Sequence, residues 1–374
     1  MSSFQPPDVL LLGPGPSPVS SRVLDAIARP TIGHLDPRFI GMMEELKELL
    51  RYAFQTRNAL TVPISAPGSA GMEAAFVNLI EPGDKVVVCQ NGVFGARMRE
   101  NVVRIGATPI MVSDPFGKPI DLEKAEAALK ANPGVKALAF VHAETSTGVE
   151  SDAAVLCALA REHGALSIVD AVTSLGGIPL LADEWGADAI YSGSQKCLSA
   201  PPGLSPVTFS ERAVEALKSR RTPVQSWFLD LSLIMGYWQG GGARAYHHTA
   251  PINMLYGLHE ALLILREEGL DAAFARHRHN HLRLRKGLDA MGLELLVAEE
   301  SRLPQLNAVV VPEGVSEMEV RKRLLDEFSI EIGAGLGELA GKIWRIGLMG
   351  AGSNERSVDR VLEALAVCTG RKAA

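Results

Sequence analysis

One lysine, Lys196, stands between small polar residues and a proline stop in the stretch Ile190–Pro202, IYSGSQKCLSAPP. A lysine at the mouth of a short apolar strand lies where an α/β sheet presents its functional edge, and its amine is a candidate for Schiff-base chemistry. On this stretch alone, a solvated loop lysine fits as well. Other apolar runs deliver further candidates. Ala66-Pro67-Gly68-Ser69-Ala70-Gly71 precedes a helical pattern, and its small residues leave N–H groups open to a phosphate, with the Ser69 hydroxyl beside them. A plain serine cap is the alternative there. Phe94, in the turn Gln90–Gly95, is either a platform for a flat ring or a core residue. Glu144-Thr145-Ser146-Thr147-Gly148 is a hydroxyl-rich loop. Asp170 ends a buried strand as a lone carboxylate that must find a cation or a hydrogen-bond donor, or else cap the next turn.

A phosphate cradle, a flat-ring platform, an acid and an amine at successive strand ends match the needs of pyridoxal 5'-phosphate. That cofactor condenses with a lysine, keeps its ring nitrogen protonated beside a carboxylate, and anchors its phosphate on N–H and hydroxyl donors.

The elements that must position these residues alternate. Helical patterns at Met42–Phe54, Ser69–Ile80, Phe94–Ile105, Asp121–Ala131 and Ala153–His163 interleave with strands at Lys85–Cys89, Pro109–Val112, Ala137–His142 and Leu166–Asp170. Ala189–Ser192 and Val207–Phe209 add two more strands. Apolar strands between helices predict an α/β domain: a mainly parallel sheet with helices on both faces. Leu258–Gly287 is helix-rich and broken near Gly269; beyond it, strands at Leu293–Val297, Ala308–Val311 and Ile343–Gly347 with helices at Glu317–Glu327 and Ser357–Cys368 read as a smaller α+β domain. The expected division is an extended N-terminal segment over 1–20, a large domain over 21–260 and a small C-terminal domain over 261–374.

The 374 residues are enough for such an arrangement, and a net charge of −6 offers no basic field for nucleic acid or an anionic membrane. No basic leader and no long apolar run is present, and the four cysteines form no CxxC, so a cytoplasmic protein without metal sites is expected. Gly13-Pro14-Gly15-Pro16-Ser17-Pro18 resembles a dinucleotide loop only briefly, because its prolines remove the N–H donors a pyrophosphate needs. A nicotinamide-dependent dehydrogenase therefore lacks its fingerprint.

The strings LLGPGPSPV, FQTRNALTV, GMEAAFVNLIEPGD, NGVFGAR, ETSTGV, VDAVTSLGG, YSGSQKCLSAPPG, YHHTAPINMLYGLHEAL and WRIGLMG run nearly the length of the chain. With them the chain resembles the class V, fold type I aminotransferases that depend on pyridoxal phosphate, most closely the alanine–glyoxylate and serine–glyoxylate (serine–pyruvate) group. The resemblance implies that Lys196 forms the Schiff base, Asp170 pairs with the pyridinium nitrogen, Phe94 stacks on the ring and Thr145 places a hydroxyl beside it. It puts Gly68, Ser69 and Gln195 on the phosphate and ring from the same subunit, and Tyr246 and Thr249 on the phosphate from the other subunit of a homodimer. Arg345 falls on the arginine that grips the substrate carboxylate, and Gly15 lies near the substrate. Phe94 stands where several relatives carry tryptophan, and Ser69 where some carry histidine or threonine.

The implied reaction is a ping-pong transfer of an amino group from alanine or serine to glyoxylate or pyruvate. A transaminase for another small amine, such as 2-aminoethylphosphonate, shares these motifs. A cysteine desulfurase would need a reactive cysteine on a small-domain loop and a histidine at position 94, where this chain has Cys368 in its last helix and Phe94. Among the histidines, His277, His279 and His281 in RHRHNHLRLRK read as part of a solvated basic face rather than a metal site. The adjacent His247 and His248 are expected to point apart within a dimer loop, Gly240-Gly241-Gly242 to be a flexible lead into it, and His34 is a candidate to approach the site.

Overall fold

The computed structural model describes residues 1–238 and 244–371, so the Gly240-Gly241-Gly242 expectation lies outside the described residues. Seven strands form the central sheet: Leu60–Ile64 (β1), Lys85–Gln90 (β2), Thr108–Ser113 (β3), Ala137–Val141 (β4), Leu166–Asp170 (β5), Ala189–Tyr191 (β6) and Ser205–Phe209 (β7). Their order is β1-β7-β6-β5-β4-β2-β3. All neighbours run parallel except β7, which is antiparallel to both β1 and β6. β4 and β5 are buried at every residue, as strands covered by helices on both faces must be.

Helix boundaries follow local chemistry. Asp121 and Asp152 each accept a backbone N–H as N-caps, which starts Leu122–Ala131 and Ala153–Glu162. The helix Val93–Ile105 ends on Gly106, whose φ of 85° suits the left-handed turn that stops it.

Register brings the strand ends level. Val141 pairs with Asp170, and Asp170 with Tyr191, so the segments leaving β4, β5 and β6 emerge at one edge. β2 has β3 on one side and β4 on the other, and this reversal of strand order is where open α/β sheets form their crevice.

A three-stranded antiparallel sheet, Leu306–Val310 (β8), Gly333–Ala334 (β9) and Ile343–Gly347 (β10), lies in the C-terminal part in the order β8-β10-β9. Helices Glu317–Phe328 and Glu355–Thr369 accompany it. Two large apolar cores result, one running from Val23 to Ala273 and the other joining Leu12 with residues from Leu284 to Ala366. The helix Leu270–Ala290 contributes to both. Leu10 and Leu11 pair in parallel with Ile330 and Glu331, so the N-terminal segment is tied to the C-terminal part.

Two sequence expectations need correction here. Leu293–Val297 is not a strand: only Leu295 makes an isolated bridge, to Val309, although its neighbours Leu293 and Val297 are buried. RHRHNH is not a solvated face, since His277 and His281 are buried. His277 places Nδ1 2.6 Å from the Ala273 carbonyl and accepts the Gly350 N–H, while His281 Nδ1 lies 2.6 Å from Asn307 Oδ1. Only His279 faces water, near Glu355. No group of metal-ligating side chains and no helix long and apolar enough to cross a membrane occurs among the described residues.

Candidate active site

A cavity of about 170 Å³ opens at the level strand ends. Pro67, Gly68, Ser69, Phe94, Asp170, Gln195 and Lys196 all line it, with Tyr191 and Arg97 among their neighbours. The elements put them there in simple ways. Gly68 opens the helix Gly68–Leu79, whose N-cap Pro67 offers no side-chain hydrogen bond. Ser69 thus sits inside the first turn and is exposed, so the serine-cap reading fails and the first N–H groups are not taken by a side chain. A methyl group at Gly68 would crowd the Ser192 carbonyl and Val172 at 3.3 Å, so a bare backbone lines this wall.

Asp170 is the last residue of β5 and is buried. Its Oδ1 accepts the Val172 N–H at 2.9 Å. Burial pushes its pKa up to about 7 against the opposing pull of that bond, the nearby Tyr191 hydroxyl and Lys196. The carboxylate has no cation in contact among the described residues, which is the environment a protonated ring nitrogen would complete. The Gln195 Oε1 and Tyr191 hydroxyl oxygens are also buried without a partner in hydrogen-bonding geometry. Such unfilled polar atoms around a cavity suit a polar aromatic ligand.

Lys196 is 8% exposed, and burial together with the positive charge of Arg345 brings its pKa down to about 8. The N-terminal segment presses on it. Ser17 donates its hydroxyl to the Lys196 carbonyl at 2.7 Å and its N–H to the Gln195 carbonyl at 3.0 Å, while Lys196 Nζ donates to the Pro14 carbonyl. Gly15 has a φ of 101°, and a side chain there would run into the Lys196 Cδ at 2.6 Å.

Arg345 lies in the middle of β10 and is 5% exposed. Its Nε donates to the Ala334 carbonyl at 2.7 Å and its Nη1 to the Thr145 carbonyl at 3.1 Å. The Nη2 group makes no hydrogen bond among the described residues, which leaves one edge of the guanidinium for a carboxylate. Desolvation lowers its pKa to about 10 without discharging it at neutral pH. Thr145 is buried, its hydroxyl 2.5 Å from that of Thr173. Phe94 is half-buried near the start of its helix, and the Arg97 guanidinium stands 4.7 Å from its ring centre.

Tyr246 and Thr249 do not line this cavity in their own chain; both are exposed, with hydroxyls 3.4 Å apart. His34 does not line it either and packs against Tyr237 and Tyr246. His247 and His248 do not point apart: their Nδ1 atoms are 2.7 Å from each other, and His248 reaches Ser65 with its Nε2. Cys197, beside Lys196, is buried in a small apolar cluster with Ala143, Ile178 and Met349, and burial raises its thiol to about 12. The buried carboxylate of Glu144 went unassigned on the sequence; it accepts from Ser146 and from the Phe94 N–H at 3.3 Å.

The sequence matches the model of the family "Aminotransferase class-V" over residues 9–344. The chain belongs to the class-V aminotransferases. It is 41% identical over 361 residues to a Mus musculus protein named alanine–glyoxylate aminotransferase, covering 96% of this chain and 87% of that protein. A Bacillus subtilis protein named (S)-ureidoglycine–glyoxylate transaminase is 38% identical over 374 residues, covering 95% of this chain and 89% of that one. Among solved structures, an alanine–glyoxylate aminotransferase from Nostoc sp. superposes with a TM-score of 0.96 at 47% identity, over 99% of this chain and 97% of that chain. The chain is accordingly an aminotransferase of fold type I, with the parallel sheet and covering helices expected from its sequence.

Proposed function

We propose that this aminotransferase uses pyridoxal 5'-phosphate bound at Lys196 to move the amino group of alanine or serine to glyoxylate or pyruvate. The observation that carries the reading is the pairing of Lys196 and Asp170 in one cavity, both displaced by burial from their ordinary protonation behaviour. The two relatives differ in the donor they are named for and share glyoxylate, which favours glyoxylate as acceptor.

When bound, the cofactor supplies an electrophilic carbon for amines and a ring that accepts the electrons released at the substrate α-carbon. Gly68 and Ser69 would hold its phosphate at the helix N-terminus, where N–H groups and the helix dipole favour an anion. Phe94, Gln195 and Asp170 line the cavity, where Phe94 and Gln195 would hold the ring and Asp170 would keep its nitrogen protonated; Thr145 lies outside the lining, its hydroxyl against Thr173, and would reach the ring only by turning from that partner. Arg345 grips the substrate carboxylate through its open edge and fixes which bond at the α-carbon faces Lys196. With a pKa near 8, a free Lys196 Nζ would have the basicity to take the α-proton and to carry it on the same face toward the cofactor. Gly15, set against Lys196, leaves room for a small substrate.

In this reading Tyr246 and Thr249, exposed and outside their own cavity, complete the phosphate site of the other subunit in a homodimer. Cytoplasmic residence suits four free cysteines, three of them buried. A half-reaction screen tests the activity: purified protein loaded with the cofactor is mixed with single amino acids while the visible absorbance is followed. Alanine or serine should bleach the band and glyoxylate restore it; a band untouched by every amino acid would overturn the proposal. Sedimentation of the loaded enzyme tests the shared site, since a fully active monomer is incompatible with it.

A further inference from the structure

The helix that carries Phe94 has no cap of its own. Gly92, its N-cap, has no side chain, and the first N–H groups of Val93–Ile105 are satisfied from elsewhere in the chain. Ser146 Oγ accepts the Val93 N–H at 3.0 Å, and Glu144 Oε2 accepts the Phe94 N–H at 3.3 Å. The other oxygen of Glu144 accepts both the Ser146 N–H at 3.0 Å and the Ser146 hydroxyl at 2.6 Å. A carboxylate and a hydroxyl from the loop after β4 therefore cap the helix that follows β2, across the reversal of strand order. Gly92 makes this possible, because a side chain there would overlap the Glu144 carboxyl group and stand 2.6 Å from Ser146 Oγ.

The same loop meets Arg345. Thr145, between Glu144 and Ser146, gives its carbonyl to Arg345 Nη1. Glu144 and Arg345 make no contact ion pair; burial pushes the Glu144 carboxyl up and the Arg345 guanidinium down, and the charge of each partly opposes the shift of the other. Glu144 is fully buried, a costly place for a carboxylate, and its partners are two N–H groups, one hydroxyl, the positive end of a helix and a nearby guanidinium.

We propose that Glu144 is a positioning residue, fixing the Phe94 ring and the Arg345 guanidinium relative to each other across the cofactor site. The proposal rests on the reading of this cavity as a pyridoxal phosphate site. It makes Glu144 responsible for two affinities at once, that for the cofactor through Phe94 and that for substrate carboxylate through Thr145 and Arg345.

The test compares Glu144→Gln, Glu144→Ala and Ser146→Ala with the wild-type full-length chain. Cofactor affinity is read by fluorescence titration with pyridoxal phosphate, and KM and kcat by steady-state rates at saturating cofactor. Thermal melting is recorded in parallel. Glu144→Ala should weaken cofactor binding about 30-fold and raise KM by a similar factor, with kcat within about threefold of wild type. Glu144→Gln, which keeps an acceptor for one N–H group, should recover most of the loss in cofactor affinity and less of the loss in KM, because it restores no charge near Arg345. Wild-type cofactor affinity and KM in Glu144→Ala would overturn the proposal. So would a lowered melting temperature with both constants unchanged, which is the signature of a structural role alone. Failure of the wild-type chain to bind pyridoxal phosphate would instead strike the underlying assignment of the cavity.

Discussion

The acidity of Lys196 is the property of this site most open to measurement. In water a lysine amine titrates near 10.5, whereas burial and the Arg345 charge bring Lys196 to about 8. At neutral pH the neutral, nucleophilic fraction rises from roughly 0.03% to about a tenth, an increase of about 300-fold. With Arg345→Lys, which keeps the cation, as the control, the perturbation that removes this charge is Arg345→Gln, which keeps a polar but shorter side chain and gives up the guanidinium's bonds to the Ala334 and Thr145 carbonyls. Its direction follows from the cause: without the guanidinium, protonated Lys196 is less disfavoured, so the midpoint must move up. The cofactor-free chain is treated with a small neutral acylating reagent from roughly pH 6 to pH 11, and modification of the Lys196 peptide is timed by mass spectrometry. Wild type should show a midpoint near 8 and Arg345→Gln a higher one. A wild-type midpoint at the ordinary lysine value, or a downward move in the variant, would refute the reasoning.

Three further outcomes follow from the same geometry. Asp170 holds a proton up to about pH 7 in the folded cofactor-free chain and only to about 3.8 when unfolded, so stability should fall as pH climbs through that window. The full drop is on the order of 4 kcal/mol, and urea denaturation of Asp170→Asn should show that slope removed; an unchanged slope would place the titration elsewhere. Gly15→Ala puts a methyl group onto Lys196 at a φ of 101°, so kcat should drop roughly 10-fold or more with folding retained by circular dichroism; wild-type kinetics would show that Gly15 does not bear on the lysine. His277→Ala leaves the buried Gly350 N–H without an acceptor and empties space between the helix Leu270–Ala290 and the 350–353 turn. Denaturant titration should show a loss of about 2–4 kcal/mol, and a loss under about half of one would contradict the pinning role.

The parts of the site legible in the sequence were those carried by period and punctuation. Lys196 and Phe94 each follow an apolar run and a few small or polar residues, Asp170 is the last residue of such a run, and a parallel sheet delivers these positions to one edge whatever its strand order. Burial of polar groups was not legible. Glu144 sits among hydroxyls in a segment that reads as a surface loop, and only its contact with the Phe94 helix, 50 residues away, explains it. The histidines of RHRHNH alternate with arginines, which suggests a wet face, but the helix turns His277 and His281 inward because two cores share it. β1, LTVPI, is not legible as a strand because Pro63 interrupts its pattern; among the described residues it pairs with β7 alone, antiparallel, at the end of the sheet order, where a missing N–H is tolerated. The apolar run Leu293–Val297 shows the reverse case: it is buried at Leu293 and Val297, but among the described residues its pairing with β8 is limited to the bridge Leu295–Val309 and the two backbone bonds beside it, Leu296 N–H to the Ala308 carbonyl and Val310 N–H to the Glu294 carbonyl.

The central claim, that Lys196 is the covalent anchor of the cofactor, is tested most directly by borohydride reduction of the loaded enzyme and peptide mapping by mass spectrometry. A single adduct with the mass of reduced pyridoxal phosphate on the peptide containing Lys196, lost in Lys196→Ala, is the expected result. An adduct on another lysine, or one that survives Lys196→Ala, would contradict it.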